Sequence, residues 1–132
     1  MKKVAVIGAG ISGLFIANLF KRNKKYQVTI FERNSFINLK EGYGIQLSVN
    51  SINLLNKIQF DKLENNEKFN PDKINFYSVK KSRKICELNI SDFNTENCKY
   101  TTLKRSSLIN FLKKDLEKEI KFDHTISKIE QQ

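Results

Sequence analysis

Apolar and polar positions alternate along this chain in a way that marks out its elements. Residues 4–7 (VAVI) are an unbroken apolar run, the pattern of a short buried strand. Leu14, Phe15, Ala17, Asn18 and Phe20 fall in a segment with helical spacing that ends in the polar run KRNKK. Residues 27–31 (QVTIF) are rich in β-branched side chains and predict a second strand. Residues 34–48 begin polar and predict a loop, then a short extended piece at 44–47. Ser48 or Asn50 can cap a helix carrying Ile52, Leu55 and Ile58 on one face. The polar stretch 61–70 predicts a ragged helix or loop, closed at Asn70-Pro71 because a residue before proline avoids helical angles. Residues 73–79 and 84–90 each alternate around the break KKSR, which predicts an antiparallel hairpin. A polar loop over 91–99 leads to a short extended piece at 100–103. Ser106 or Ser107 can then cap a helix with Leu108, Leu112 and Leu116 in register. Residues 120–122 and 126–129 read as strand-like endings. There is no internal repeat.

The join between the first strand and the first helix carries the chemistry. Gly8-Ala9-Gly10-Ile11-Ser12-Gly13 is a G-x-G-x-x-G turn, and Glu32 closes the second strand 19 residues after Gly13. Strand, glycine turn, helix, strand and acid form one dinucleotide-binding βαβ unit over residues 2–33. Gly8 permits the tight turn, Gly10 lets the backbone approach a pyrophosphate, and Gly13 lets the helix lie close to the sheet. The helix N-terminus offers N–H groups and partial positive charge to phosphates. The Glu32 carboxylate can accept from both hydroxyls of a ribose, and would repel the 2′-phosphate of an NADP-type ligand. Two other readings of this stretch fail. A glycine-rich turn of an unrelated α/β protein would not need the acid. A signal peptide would not carry three glycines and Asn18 in its apolar run without a small-residue cleavage site.

Composition narrows the class. The 132 residues are 39% hydrophobic and 29% charged, within the range of folded globular chains. The net charge of +10 is carried by 20 lysines and 4 arginines, scattered in pairs such as Lys24-Lys25, Lys80-Lys81 and Lys113-Lys114. Arginines interleaved with aromatics would be expected at a nucleic-acid readout surface, so no nucleic-acid partner is read here. Attraction to phosphates or acidic lipid headgroups is the milder consequence, and leaves room for peripheral membrane contact. No stretch is long and unbroken enough to be a transmembrane segment. Cys86 and Cys98 lack metal-ligand spacing and His124 is the only histidine, so no metal site or Cys/His catalytic pair is read. Reduced, structural thiols place the chain in the cytoplasm.

VAVIGAGISGL, VTIFER, GYGIQLSVNSINLL and LKRSSLINFL, in that order, resemble the N-terminal part of the FAD-dependent aromatic-ring monooxygenases, the group A flavoprotein hydroxylases that include ubiquinone-biosynthesis hydroxylases. The resemblance runs along nearly the whole chain. It implies an α/β, Rossmann-like FAD-binding fold with an inserted antiparallel hairpin, the hairpin belonging to a substrate-side layer at about 73–90. It implies hydroxylation of an aromatic or quinone-precursor molecule, with FAD as cofactor and NAD(P)H as reductant. By matched position, Gly8, Gly10, Ser12 and Gly13 would bind the pyrophosphate and Glu32 the adenosine ribose. Arg33 would lie against the adenine or its phosphates, Gly44 and Ile45 would approach the flavin and ribityl chain, and Arg105 would contact the cofactor from the start of its helix. Arg33 as a solvated charge, Gly44 as a turn glycine, and Arg105 paired with Asp115 or Glu119 are the bland readings of the same residues. No catalytic acid or base can be named.

The family's later Asp-Gly and Gly-Asp motifs have no counterpart here, so the chain is expected to be a partial FAD-binding domain over residues 1–132. It would be an incomplete doubly wound sheet, inactive alone and leaving apolar surface uncovered. Another FAD oxidoreductase of the reductase or halogenase type, or a non-catalytic nucleotide-binding module, remain as alternatives. The substrate, the choice of NADH or NADPH, and the oligomeric state are not fixed by the residues.

Overall fold

The computed structural model describes residues 1–40 and 42–130, which divide into two compact units. The first unit comprises residues 1–43 and 105–132, apart from the three undescribed positions, and the second is the intervening stretch 44–104.

In the first unit, β1 (Lys2–Ile7), α1 (Ile11–Arg22) and β2 (Tyr26–Phe31) follow in order. β1 and β2 are parallel and paired over their full lengths, from Lys2 opposite Tyr26 to Ile7 opposite Phe31. Parallel neighbours need a crossover, and α1 supplies it. Its Leu14 and Ala17 are wholly buried, as is Ile30 of β2. Full burial of a Leu or Ile side chain is worth roughly 1.5–3 kcal/mol, so this seam is where the unit gains most of its hold on α1. The second half of the unit returns as α3 (Arg105–Lys113) and β8 (Ile120–Lys121). β8 lies parallel to the far side of β2, giving the order β1-β2-β8. Leu108, Ile109, Leu112 and Leu116 are buried.

One polar side chain ties the two halves together. Asn18 on α1 is buried, and its Nδ2 donates to the Leu14 carbonyl at 2.9 Å and to the Leu112 carbonyl at 2.7 Å. The last carbonyls of a helix have no partner within it, and Asn18 satisfies one of these for α3.

The second unit contains β3 (Gly44–Leu47), α2 (Val49–Asn56), β4 (Lys68–Phe69), β5 (Lys73–Ser78), β6 (Arg83–Asn89) and β7 (Thr101–Lys104). β7 is the centre of a small antiparallel sheet, with β3 on one side and β4 on the other. Ile52 and Leu55 of α2 are buried, as are Ile58, Phe60, Ile90 and Leu103. The Asn70 amide secures the approach to β7 by donating to the Tyr100 carbonyl and the Thr101 hydroxyl. β5 and β6 form the expected hairpin as a separate two-stranded sheet, with a bulge between Phe76 and Tyr77 of β5 at which Ile85 has no partner in the register.

The local expectations differ from the structure in four places. Ser106 and Ser107 lie inside the first turn of α3, because the helix begins directly at Arg105. α3 ends at Lys113, so Leu116 is buried from the turns beyond it rather than from the helix. Ser48 does precede α2, but its hydroxyl lies 3.5 Å from the Ser51 hydroxyl and makes no side-chain cap bond. Residues 126–129 form no strand: Ile126 and Ile129 are exposed and the backbone there has no ladder partner. Cys86 and Cys98 are both free thiols.

Apolar surface remains open in both units, at Ile7 in the first and at Phe69, Phe76, Tyr77, Val79, Ile85 and Leu88 in the second. The 132-residue chain is therefore expected to self-associate as concentration rises. Light scattering that reports a monomer, together with a cooperative calorimetric transition, would contradict this. Replacing Asn18 by Leu leaves the Leu112 carbonyl unpaired, at a cost of about 1–3 kcal/mol. Amide exchange in α3 should quicken by roughly 5- to 150-fold; unchanged exchange would show that the Asn18 bonds do not hold α3.

Candidate dinucleotide site

The first unit places Gly8, Gly10, Ser12, Gly13, Glu32, Arg33 and Arg105, while Gly44 and Ile45 belong to β3 of the second unit. The glycine turn leaves β1 at Gly8, whose φ of +92° is a conformation L side chains rarely adopt. The Gly8 amide donates to the Phe31 carbonyl at 2.8 Å, so the turn begins where the β1–β2 ladder ends. Gly13 sits in the first turn of α1. A Cβ built there would lie 2.0 Å from the Gly8 carbonyl oxygen, a backbone atom that cannot step aside.

Gly10 is different. It precedes α1 with φ −77° and ψ −179°, angles open to any residue, and a Cβ there would meet nothing within 4 Å. No side chain caps α1. The first N–H groups of a helix have no partner within it, so they point into the space in front of Gly10. Ser12, exposed in the same turn, adds a hydroxyl.

Glu32 is buried at the end of β2 and both of its oxygens are engaged. Oε2 accepts from the Ala9 amide at 2.8 Å and Oε1 from the Asn34 amide at 3.0 Å. Burial acts to raise its pKa. The Ala9 and Asn34 hydrogen bonds and the neighbouring Arg33 charge outweigh that and leave it below the ordinary 4.5. The acid thus ties the glycine turn to the end of β2, a structural duty that its strand-terminal position alone did not reveal. Each oxygen keeps further acceptor capacity for a hydroxyl. Arg33 is exposed.

Arg105 opens α3. Its amide donates to the Tyr43 carbonyl at 3.2 Å and its guanidinium to the Asn38 carbonyl at 3.3 Å. Gly42, at φ +108°, lies against the arginine stem: a Cβ there would come 2.5 Å from Cδ of Arg105. Of the two acids weighed as partners for Arg105, Glu119 is bound to Lys21 at 2.7 Å. In the second unit, Gly44 pairs with Lys104 and Ile45 with Leu103. A Cβ at Gly44 would be 3.8 Å from the Leu103 carbonyl oxygen, an ordinary contact, so its own unit does not require glycine there.

Sequence reasoning passed over Ala9, Asn34 and Gly42, whose parts are played by backbone atoms or by the lack of a side chain. It also missed the setting of His124, whose amide donates to the Glu32 carbonyl at 2.9 Å and whose ring lies 5.8 Å from that of Phe31. A β-strand placed beside β2 by the C-terminal residues was the available signal. Among the described residues no cluster of acids, cysteines and histidines could hold a metal ion, and no helix is long and apolar enough to cross a membrane.

The lowered pKa of Glu32 has a consequence for acid stability. Its native value lies below its unfolded one, so its contribution is complete above about pH 4.5 and is lost as pH falls through the lowered native value. Glu32→Gln should reduce stability near neutral pH and flatten the fall in stability below about pH 4.5. An acid titration followed by circular dichroism checks this, and an identical acid limb in the variant would contradict it.

Comparison with known proteins agrees with this geometry. The family described as the NAD(P)-binding Rossmann-like domain matches residues 6–38, the glycine turn, α1, β2 and the acid. No curated protein matched the chain. Among solved structures, Klebsiella pneumoniae HpxO complexed with FAD and uric acid has a TM-score of 0.83 at 15% identity, over 99% of this chain and 33% of that one. The p-nitrophenol 4-monooxygenase PnpA from Pseudomonas putida DLL-E4 has a TM-score of 0.78 at 17% identity, over 100% of this chain and 35% of that one. The 2,6-dihydroxypyridine-3-hydroxylase from Arthrobacter nicotinovorans has 0.73 at 16% identity, over 99% of this chain and 31% of that one. This chain therefore has an α/β fold with a Rossmann-like nucleotide unit that it shares with FAD-dependent monooxygenases, and it spans about a third of their length.

Proposed function

We propose that this chain binds the ADP portion of FAD in its first unit, and that the protein it serves is an FAD-dependent monooxygenase acting on an aromatic or related small molecule. Gly10 is the observation that carries the reading. Its dihedral angles and the space around it would accept any side chain, yet glycine stands there, in front of an uncapped helix N-terminus. Gly8 and Gly13 are explained by the chain's own packing; Gly10 is explained by something that approaches it.

The residues fit such a ligand. The α1 N-terminus and the Gly10 backbone would receive the pyrophosphate, with the Ser12 hydroxyl beside them. Glu32, already held by Ala9 and Asn34, would accept from the ribose without a rotamer search, since its position is set before binding. Arg33 would add a positive charge at the same edge. Arg105, seated against Gly42 and anchored on the Asn38 carbonyl, presents a cation from the start of α3. FAD, when bound, supplies the redox chemistry, and the protein's part is to bind, orient and shield it. NAD(P)H would be the reductant and the substrate a small aromatic such as a quinone precursor, in a cytoplasmic setting consistent with two free thiols.

A second reading follows from the family match: an NAD-type dinucleotide would use the same ADP contacts. Titration of the chain with FAD, NAD⁺ and ADP, read by flavin fluorescence and calorimetry, separates the two. FAD is expected to bind, ADP to compete, and NAD⁺ to bind more weakly than FAD. Gly10→Val should weaken FAD at least about tenfold, the equivalent of about 1.4 kcal/mol. Unchanged affinity in that variant would show that the turn is not the pyrophosphate site.

A further inference from the structure

The β5–β6 hairpin ends in a tip that nothing in the nucleotide site uses. Val79, at the turn, is 95% exposed, and Ile85, at the bulge, is 65% exposed; Tyr77 beside them is 63% exposed. Large apolar side chains this open are unusual on a surface loop, where polar residues normally stand. Lys80 and Lys81 occupy the same turn, Arg83 opens β6 directly after it, and all three are exposed. Among the described residues no acid forms an ion pair with any of these three, whereas the next cation, Lys84, is paired with Glu87 at 2.6 Å. Glu87 also holds Lys73 at 3.0 Å, so the acid nearest the tip along β6 is already balanced by two lysines, Lys84 on the tip side of it and Lys73 at the far end of the hairpin. Ser82, at φ 42°, holds the turn in a left-handed bend.

We infer that this tip docks on an anionic lipid bilayer, with Val79 and Ile85 entering the headgroup boundary and Lys80, Lys81 and Arg83 meeting the lipid phosphates. The mixture decides the partner. Cations alone would suit any polyanion, but the aliphatic side chains that flank them, Val79 and Ile85, find no reward along a phosphate backbone in water. At a bilayer surface the apolar groups leave water while the long lysine and arginine stems keep their charges at headgroup level. Tyrosine favours the same boundary, with an apolar ring and a polar hydroxyl. The net charge of +10 draws the whole chain to such a surface, and the tip fixes which part arrives.

Flotation of the 132-residue chain with vesicles tests this, since flotation separates bound protein from any aggregate. The chain should float with phosphatidylcholine vesicles containing about a third phosphatidylserine, and not with phosphatidylcholine alone. Each basic residue near such a surface is worth about fivefold in partitioning, so Lys80→Ser with Lys81→Ser should lower it by roughly 25-fold. Lys24→Ser with Lys25→Ser makes the same change in net charge elsewhere and should lower it far less. Val79→Ser should remove the binding that survives in high salt, where exposed charges are screened. The inference is overturned by equal losses in the two lysine pairs, by equal flotation with neutral vesicles, or by a Val79→Ser variant that binds like the parent. Binding to single-stranded RNA without flotation on anionic vesicles overturns it as well.

Discussion

The closest constraint in the first unit is the approach of Gly13 to the Gly8 carbonyl. A single added carbon would sit 2.0 Å from that oxygen, so the start of α1 can lie where it does only without a side chain. From this follow the depth at which Leu14 and Ala17 enter the sheet and the direction in which the α1 N-terminus faces. Glu32 then fixes the same turn from the other side through the Ala9 amide. Two backbone atoms and one carboxylate thus define the edge on which a dinucleotide would rest. The Gly13–Gly8 approach and the Ala9–Glu32 bond hold the glycine turn without a ligand, which suits a phosphate site built from backbone groups.

Much of this was legible because the relevant signals are local. The run VAVI, the spacing of three glycines and the acid at Glu32 specify β1, the turn, α1 and β2 with no need of distant partners, and the hairpin followed from alternation on both sides of KKSR. Contacts between distant residues were hidden. β4 is two residues long and exists because β7 offers it an edge. β8 is equally short and is placed by the outer edge of β2. β4 leaves no signal in the sequence, whereas residues 120–122 read as strand-like and only the partner of β8 was hidden. Residues 126–129 show the converse, a β-like composition with no edge to join.

The candidate site divides along the same line. Gly8, Gly13 and Glu32 could be found because residue type determines their roles. Ala9, Asn34 and His124 contribute backbone N–H groups, which every residue but proline has, so type says nothing about them. Gly42 falls between these cases: it is needed for its positive φ and for the stem of Arg105, a residue 63 positions later. Glu32 turns out to hold two duties, one to the turn and one available to a ligand. Its loss would therefore reach the fold as well as any binding.

The position of Asn18 between α1 and Leu112 bears on the order in which the chain can be assembled. The first unit is interrupted by the whole of the second, so its α1–α3 link and its β2–β8 ladder join residues about 90 positions apart. During synthesis the βαβ stretch emerges early, yet α3 and β8 reach it only after the intervening residues have been made. Loop closure over such a span is entropically slow to be rewarded, though the penalty grows only with the logarithm of its length. If the second unit condenses on itself first, it brings its two ends, at Gly44 and Lys104, together as neighbours in the β3–β7 ladder. It would then act as a clasp that shortens the effective loop to almost nothing, so that the inserted unit serves as a folding aid for the unit it interrupts.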